Sequence, residues 1–248
     1  MLRIFAAFIT LALIGHLSTL PAVAADTSAF SAAQKGEFGK LVREYLLEHP
    51  EVITEALTEL DSRAEKARVD NRANVLVSRR QELLSPSEGT VIGNPRGDVT
   101  VVEFFDYNCG YCKSMFQSMV EILKEDPEMR LVLKEYPILG PSSVTASRAA
   151  LAARNQGKYS DLHLALLSFK GSLSDSVIMV IAQNAGLDVR KLQEDMKDPE
   201  ITDILVKNHS LADELGVEGT PQVIIGEVFL PGAVPKEEIV AAIAKARR

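Results

Sequence analysis

The chain has two cysteines, Cys109 and Cys112, and both lie in the segment Val101-Val-Glu-Phe-Phe-Asp-Tyr-Asn-Cys-Gly-Tyr-Cys-Lys-Ser-Met115. The apolar and β-branched run reads as a buried strand, and a short turn then delivers a Cys-Gly-Tyr-Cys quartet to the start of a helix. A thiol at a helix N-terminus meets unpaired backbone N–H groups and the positive end of the helix dipole, so its thiolate is favoured. The second thiol lies one turn further in, where it can attack a mixed disulfide formed on the first. The spacing therefore predicts a dithiol redox site, with Cys109 the more acidic and more exposed thiol.

Other uses of the pair fit the residues less well. A structural zinc site needs about four ligands, and His16, His49, His163 and His209 are scattered with no second cysteine pair. A purely structural bridge gains stability by closing a long loop, and a Cys-x-x-Cys bridge closes almost none. Haem attachment calls for histidine where Lys113 stands. His163 and His209 fall in helical segments and are expected to pack or to face solvent. Phosphate-binding glycine loops, paired catalytic carboxylates and Ser–His arrangements do not stand out, so neither a cofactor nor a metal is expected.

Residues 1–24 read as an export signal. Arg3 supplies the positive start, positions 4–17 a mostly apolar core, and Ala22-Val23-Ala24 a small-residue cleavage site. The core falls short of the roughly 20 residues that a membrane span needs. The expected location is thus outside the cytoplasm, most simply a bacterial periplasm, where a thiol pair can cycle between its two states. A net charge of −7 argues against nucleic acid, which calls for a basic face.

The elements that must position the thiols follow from pattern. Residues 38–84 are helical in pattern, with Pro50 marking a break. Ile53, Leu57, Leu60, Ala64 and Ala67 step at heptad spacing, which a lone helix cannot bury, so the segment 25–88 is expected to be an oligomerisation stalk. A helical hairpin folded onto the catalytic domain is the competing reading. Removing residues up to about Ser87 leaves every expected strand, so that piece is expected to fold as a monomer. A catalytic domain over 89–248 then reads as strand (99–105), helix (109–124) and strand (129–136). A helical stretch (142–215), two short strands (222–225 and 228–230) and a last helix (236–246) follow. This is the thioredoxin order, α/β, with a helical insertion at about 141–216. Pro221, opening a strand in Gly219-Thr220-Pro221, cannot donate to the ladder. A cis Thr220–Pro221 bond beside the thiols would account for it.

These blocks resemble the DsbA-like thiol–disulfide oxidoreductases, and more closely the branch that holds the suppressor-of-copper-sensitivity protein ScsC and Com1-type surface proteins. Tyr45-Leu-Leu-Glu-His-Pro-Glu-Val52, the quartet with its strand, Lys134-Glu-Tyr-Pro-Ile-Leu-Gly-Pro141 and Gly219-Thr-Pro221 carry the likeness. The resemblance implies a thioredoxin fold with an inserted helical domain and an N-terminal oligomerisation segment, as homodimer or homotrimer. It also implies site roles: Cys109 attacks, Cys112 resolves, Pro221 is the cis-proline with Thr220 before it, Glu103 is a buried acid, and Lys134 is its basic partner. Gly110-Tyr111 stands where strong DsbA oxidants carry Pro-His and brings no positive charge, which implies a less oxidising site. Thr220 leans towards isomerases in the same comparison. The implied activity is thiol–disulfide exchange on exported proteins, as isomerase or reductase, with a DsbD-like or ScsB-like membrane protein supplying electrons. The alternatives are a net oxidase recharged by a DsbB-like partner and, in another class, a Cu(I)-binding protein using the two soft thiolates.

Overall fold

A computed structural model describes residues 30–87 and 89–248; the expected signal, 1–24, lies outside the described residues. Two compact units divide the chain between Leu60 and Asp61. In the first, α1 (Ala32–Glu48) opens on a capping box, with Ser31 Oγ accepting from the N–H of Gln34 and Gln34 Oε1 accepting from that of Ser31. It closes at His49, and α2 (Glu51–Ser78) starts after Pro50. No residue of α1 is buried. Phe38, Leu41, Tyr45, Leu47, Ile53, Leu57 and Leu60 are all exposed.

The second unit is built on a five-stranded sheet of order β1-β3-β2-β4-β5. Strands β2 (Val99–Phe105) and β3 (Met129–Glu135) run parallel at its centre, joined by α4 (Gly110–Glu125). Almost every residue of both strands is buried, which explains their richness in Val, Leu and Phe. Strand β4 (Gln222–Ile225) is antiparallel to β2, and β5 (Val228–Pro231) is antiparallel to β4. The short edge strand β1 (Val91–Gly93) pairs with β3. Three residues carry no period, so the sequence pattern does not reveal this strand.

Alternation along β2 gives the sheet two chemically distinct faces. Val99, Val101 and Phe105 pack with α4, with α10 (Lys236–Ala246) and with helices of the insertion. Val102 and Phe104 point the other way, into a cluster with Val75 of α2, Leu83 of α3 (Arg80–Leu84) and Leu211 and Leu215 of α9. The insertion between β3 and β4 comprises α5 (Pro141–Ala152), a 3-10 turn (Ala153–Gln156), α6 (Tyr159–Ser168), α7 (Asp175–Asn184), α8 (Val189–Asp195) and α9 (Pro199–Leu215).

One boundary moves. Residues 61–87 belong with the catalytic unit rather than with a stalk ending at 88. Val75 and Leu83 are buried there. The side chains of Asn71 and Arg72 donate to the carbonyls of Glu214 and Leu215, which α9 leaves unpaired at its C-terminus. Arg79 is ion-paired with Glu214. The heptad pattern missed this because it continues past Ala67 only to Asn71 and Asn74, and the buried Val75 lies one residue off the stripe. Starting the chain at Asp61 should therefore leave its denaturation midpoint in urea nearly unchanged. Starting it at Ser87 should lower the unfolding free energy by at least about 3 kcal/mol, since Val75 and Leu83 contribute about 1.5–3 kcal/mol each.

Candidate active site

Strand β2 ends at Phe105, and Asp106 makes the turn that follows. Asp106 is buried, and its Oδ1 accepts from the N–H of Asn108 at 2.7 Å. Its Oδ2 accepts from the N–H groups of Ile138 and Leu139 at 2.9 and 3.0 Å. Its carbonyl takes the N–H of Cys109 at 3.0 Å. Cys109 thereby becomes the N-cap of α4, with extended backbone, and its Sγ accepts from the N–H of Cys112 at 3.4 Å. Cys112, Met115, Met119 and Ile122 form the buried stripe of α4, a helical spacing that draws the second sulfur inward. Cys109 keeps 5% of its surface exposed and Cys112 none. Both are free thiols.

The two sulfurs differ sharply in acidity. Cys109 is lowered to about 5, first by its hydrogen bond with Cys112, then by the Thr220 side chain and the N–H groups of Cys112 and Tyr111, against the opposing effect of burial. Cys112 is pushed far up by the same Cys109 bond, by burial and by the Glu103 carboxylate. The Thr220 carbonyl lies 3.1 Å from Cys109 Sγ and accepts from it while it is protonated. The Thr220–Pro221 bond is cis, and the Pro221 carbonyl is used by the N–H of Gly232. Cys109, Cys112, Thr220 and Pro221 thus meet at one place.

Glu103 faces the same side of the sheet as the thiols, is buried, and is raised to about 8 by burial and by the Cys109 charge. Lys134 is not its partner. In the register Phe104 lies beside Lys134 and Glu103 beside Leu133, so Lys134 projects from the opposite face. Its Nζ donates to the carbonyls of Glu82 and Ser85 at 2.8 Å each, past the end of α3. Burial lowers it to about 8. A one-residue register step reverses the face on which a strand residue sits, and sequence adjacency to Glu135 hides that step.

The sequence reading missed Asp106 and a buried cluster around Glu135. Glu135 Oε1 accepts from the hydroxyls of Tyr107 and Tyr159 at 3.0 Å, and Oε2 from Ser147 at 2.7 Å. Tyr107 Oη also lies 3.0 Å from His163 Nδ1. When Tyr107 gives its one proton to Glu135, His163 donates to Tyr107 Oη from Nδ1. Burial holds that imidazole neutral, with its pKa down at about 3, and raises Glu135 to about 8. The available signal was an acidic residue in each of two largely buried strands, Glu103 within β2 and Glu135 at the end of β3. His209 pairs at the surface with Asp213. Among the described residues no group of three or more His, Cys, Asp or Glu could hold a metal ion.

A free thiol pair at the first strand–helix junction, facing a cis-proline, defines the dithiol proteins of thioredoxin-like fold. Residues 100–244 match the DSBA-like thioredoxin domain, and residues 34–67 match the Copper resistance protein ScsC N-terminal domain. The chain belongs to the DsbA-like thioredoxin-domain family. It is similar to a thioredoxin-like oxidoreductase from Silicibacter pomeroyi DSS-3, at 43% identity and TM-score 0.66, over 68% of this chain and 97% of that one. ScsC of Proteus mirabilis in a transitional conformation matches at 28% identity and TM-score 0.64, over 88% and 99%. A periplasmic thioredoxin-like protein from Salmonella enterica serovar Typhimurium matches at 29% and 0.60, over 67% and 95%. The chain spans about a quarter of the length of the curated relatives it matches, such as the Na(+)/H(+) antiporter NhaA 1 of Salinispora arenicola, 28% identical over 165 residues and 66% of this chain. No described helix is long and apolar enough to cross a membrane.

Two outcomes follow from the acidities. In the reduced protein, iodoacetamide should modify Cys109 with a rate that rises through a midpoint near pH 5, while Cys112 stays unmodified up to pH 9; faster reaction at Cys112 would reverse the roles. Glu103→Gln removes a carboxyl whose raised pKa opposes folding increasingly as pH climbs from about 4.5 to 8. The variant should match the native stability at pH 4.5 and exceed it by about 2–4 kcal/mol at pH 9 in urea denaturation.

Proposed function

We propose that the protein is a thiol–disulfide oxidoreductase of exported proteins, acting mainly as disulfide isomerase and reductase in the periplasm. The observation that carries this reading is the split between an acidic, partly accessible Cys109 and a buried, protonated Cys112. The Cys109 thiolate attacks one sulfur of a substrate disulfide. A new S–S bond forms, the old one breaks, and the departing substrate sulfur leaves as thiolate. In isomerisation that thiolate re-attacks elsewhere in the substrate. In reduction Cys112 loses its proton and attacks Cys109 Sγ, releasing the second substrate thiolate and leaving a Cys109–Cys112 disulfide. Glu103, as carboxylate, is the buried base on that side of the sheet that can take the Cys112 proton. A membrane reductant of the DsbD or ScsB kind would return two electrons.

A Cys109 pKa of about 5 lies between the values of about 7 for thioredoxin and about 3.5 for the strong oxidant DsbA. That intermediate position favours exchange in both directions, and it also supports a second reading as a net oxidase served by a DsbB-like partner. The apolar side chains that α1 and the start of α2 leave exposed support self-association into a dimer or trimer, which would hold a substrate while several bonds are tried.

The test pairs a trap with an assay. Cys112→Ser should accumulate mixed disulfides at Cys109, and the native protein should restore activity to scrambled, multiply bridged ribonuclease. Light scattering should give a dimeric or trimeric mass. Trapping without rescue, on a monomer, would sink the isomerase reading in favour of the oxidase.

A further inference from the structure

The inserted helices hold the Cys-Gly-Tyr-Cys quartet from both sides. Asn108, immediately before Cys109, uses its whole carboxamide on them. Its Nδ2 donates to Ser142 Oγ at 3.0 Å and Ser143 Oγ at 3.1 Å, both in the first turn of α5. Its Oδ1 accepts from the N–H of Leu173, ahead of α7, at 3.3 Å. On the other side of the quartet, Lys113 Nζ donates to the carbonyls of Phe169 and Gly171 at 3.0 and 3.2 Å. The segment 169–173 is therefore fastened both to the residue before the thiol pair and to the residue after it.

None of these bonds is needed to seat α4, whose apolar stripe already anchors it. They bear instead on where the Cys109 backbone points. The bond from the Cys112 N–H to Cys109 Sγ, at 3.4 Å, is of ordinary length for a sulfur acceptor, and hydrogen bonds weaken steeply with misalignment. A rotation at Cys109 would weaken it. Asn108 opposes that rotation, with its own N–H held by Asp106 and its side chain held by three groups of the insertion.

We propose that Asn108 is a positioning residue for the thiol pair, through which the inserted helices fix Cys109 against the N-terminus of α4 and so set the reduction potential of the couple. The inference rests on the thiol–disulfide reading above. Losing the clamp destabilises the thiolate, hence the reduced form, and makes the dithiol a stronger reductant.

The experiment equilibrates the full-length protein with glutathione and compares the native chain with Asn108→Ala, with the pair Ser142→Ala/Ser143→Ala, and with all three changes together. Each of the first two should shift the equilibrium constant towards disulfide, Asn108→Ala by about tenfold, which is about 30 mV for a two-electron couple. The midpoint of Cys109 alkylation should rise in parallel. The triple variant should shift no further than Asn108→Ala alone, because both changes remove the same contacts. A native-like equilibrium in a folded Asn108→Ala protein, or additive shifts in the triple variant, overturns the proposal. Should Asn108→Ala fail to fold, the serine pair decides: a shifted potential supports the clamp and an unshifted one overturns it. A native couple that does not exchange with glutathione overturns the redox reading and this inference together, whereas normal native exchange with unmoved variants overturns the inference alone.

Discussion

The N–H of Cys112 points at Cys109 Sγ, one of the contacts that together make Cys109 the more acidic sulfur. That contact exists only because Cys109 caps α4 instead of lying within it. A residue further into the helix would have its neighbours' N–H groups already spent on backbone carbonyls. The cap position in turn requires β2 to stop at Phe105 and the chain to turn within three residues. Asp106 enforces that turn by spending its carboxylate on three backbone N–H groups, one from its own loop and two from the loop after β3. Thiol acidity thus traces back to a carboxylate that never touches sulfur.

The central strands keep Glu103 and Lys134 apart by geometry. Glu103 and Lys134 sit on neighbouring strands, yet they project from opposite faces of the sheet. Had they been paired, the carboxyl would be held down and the ammonium up. Both move the other way, to about 8, because burial dominates each. The thiol side keeps an acid that can be either protonated or charged near neutral pH. The far side keeps a lysine that caps the end of α3 and so ties residues 61–87 to the sheet.

Much of this was legible in the residues. The two long strands, the quartet, the cis-proline and the last helix are local signals, and the structure places them within a residue or two of where the pattern does. The fold class was equally readable, since strand–helix–strand followed by two strands and a helix admits few topologies. What escaped depends on contacts distant in sequence. The partner of Lys134 lies about fifty residues upstream, and no spacing rule links them. The stripe of Ile53, Leu57 and Leu60 reaches Asn71 and Asn74 at the same heptad positions, while the buried Val75 lies one residue off it, so the break was visible but the partner that buries Val75 was not. Glu135 was visible as an acid ending a buried strand, but its hydroxyl donors come from three separate segments.

The Glu135 cluster joins β3, the loop before Cys109, and helices α5 and α6 in one dry polar knot. A knot of that kind limits portability. Grafting the Cys-Gly-Tyr-Cys quartet with its strand onto a thioredoxin scaffold that lacks the insertion would carry along Tyr107 without the groups that satisfy it. The transplanted tyrosine would lose both its acceptor and the helices that bury it, leaving a bare aromatic ring beside the thiols. A recombination library that crosses over between β2 and α5 should for the same reason return few folded chimeras, however similar the flanking strands. The natural unit of exchange for this redox centre is the whole span from β2 through α6.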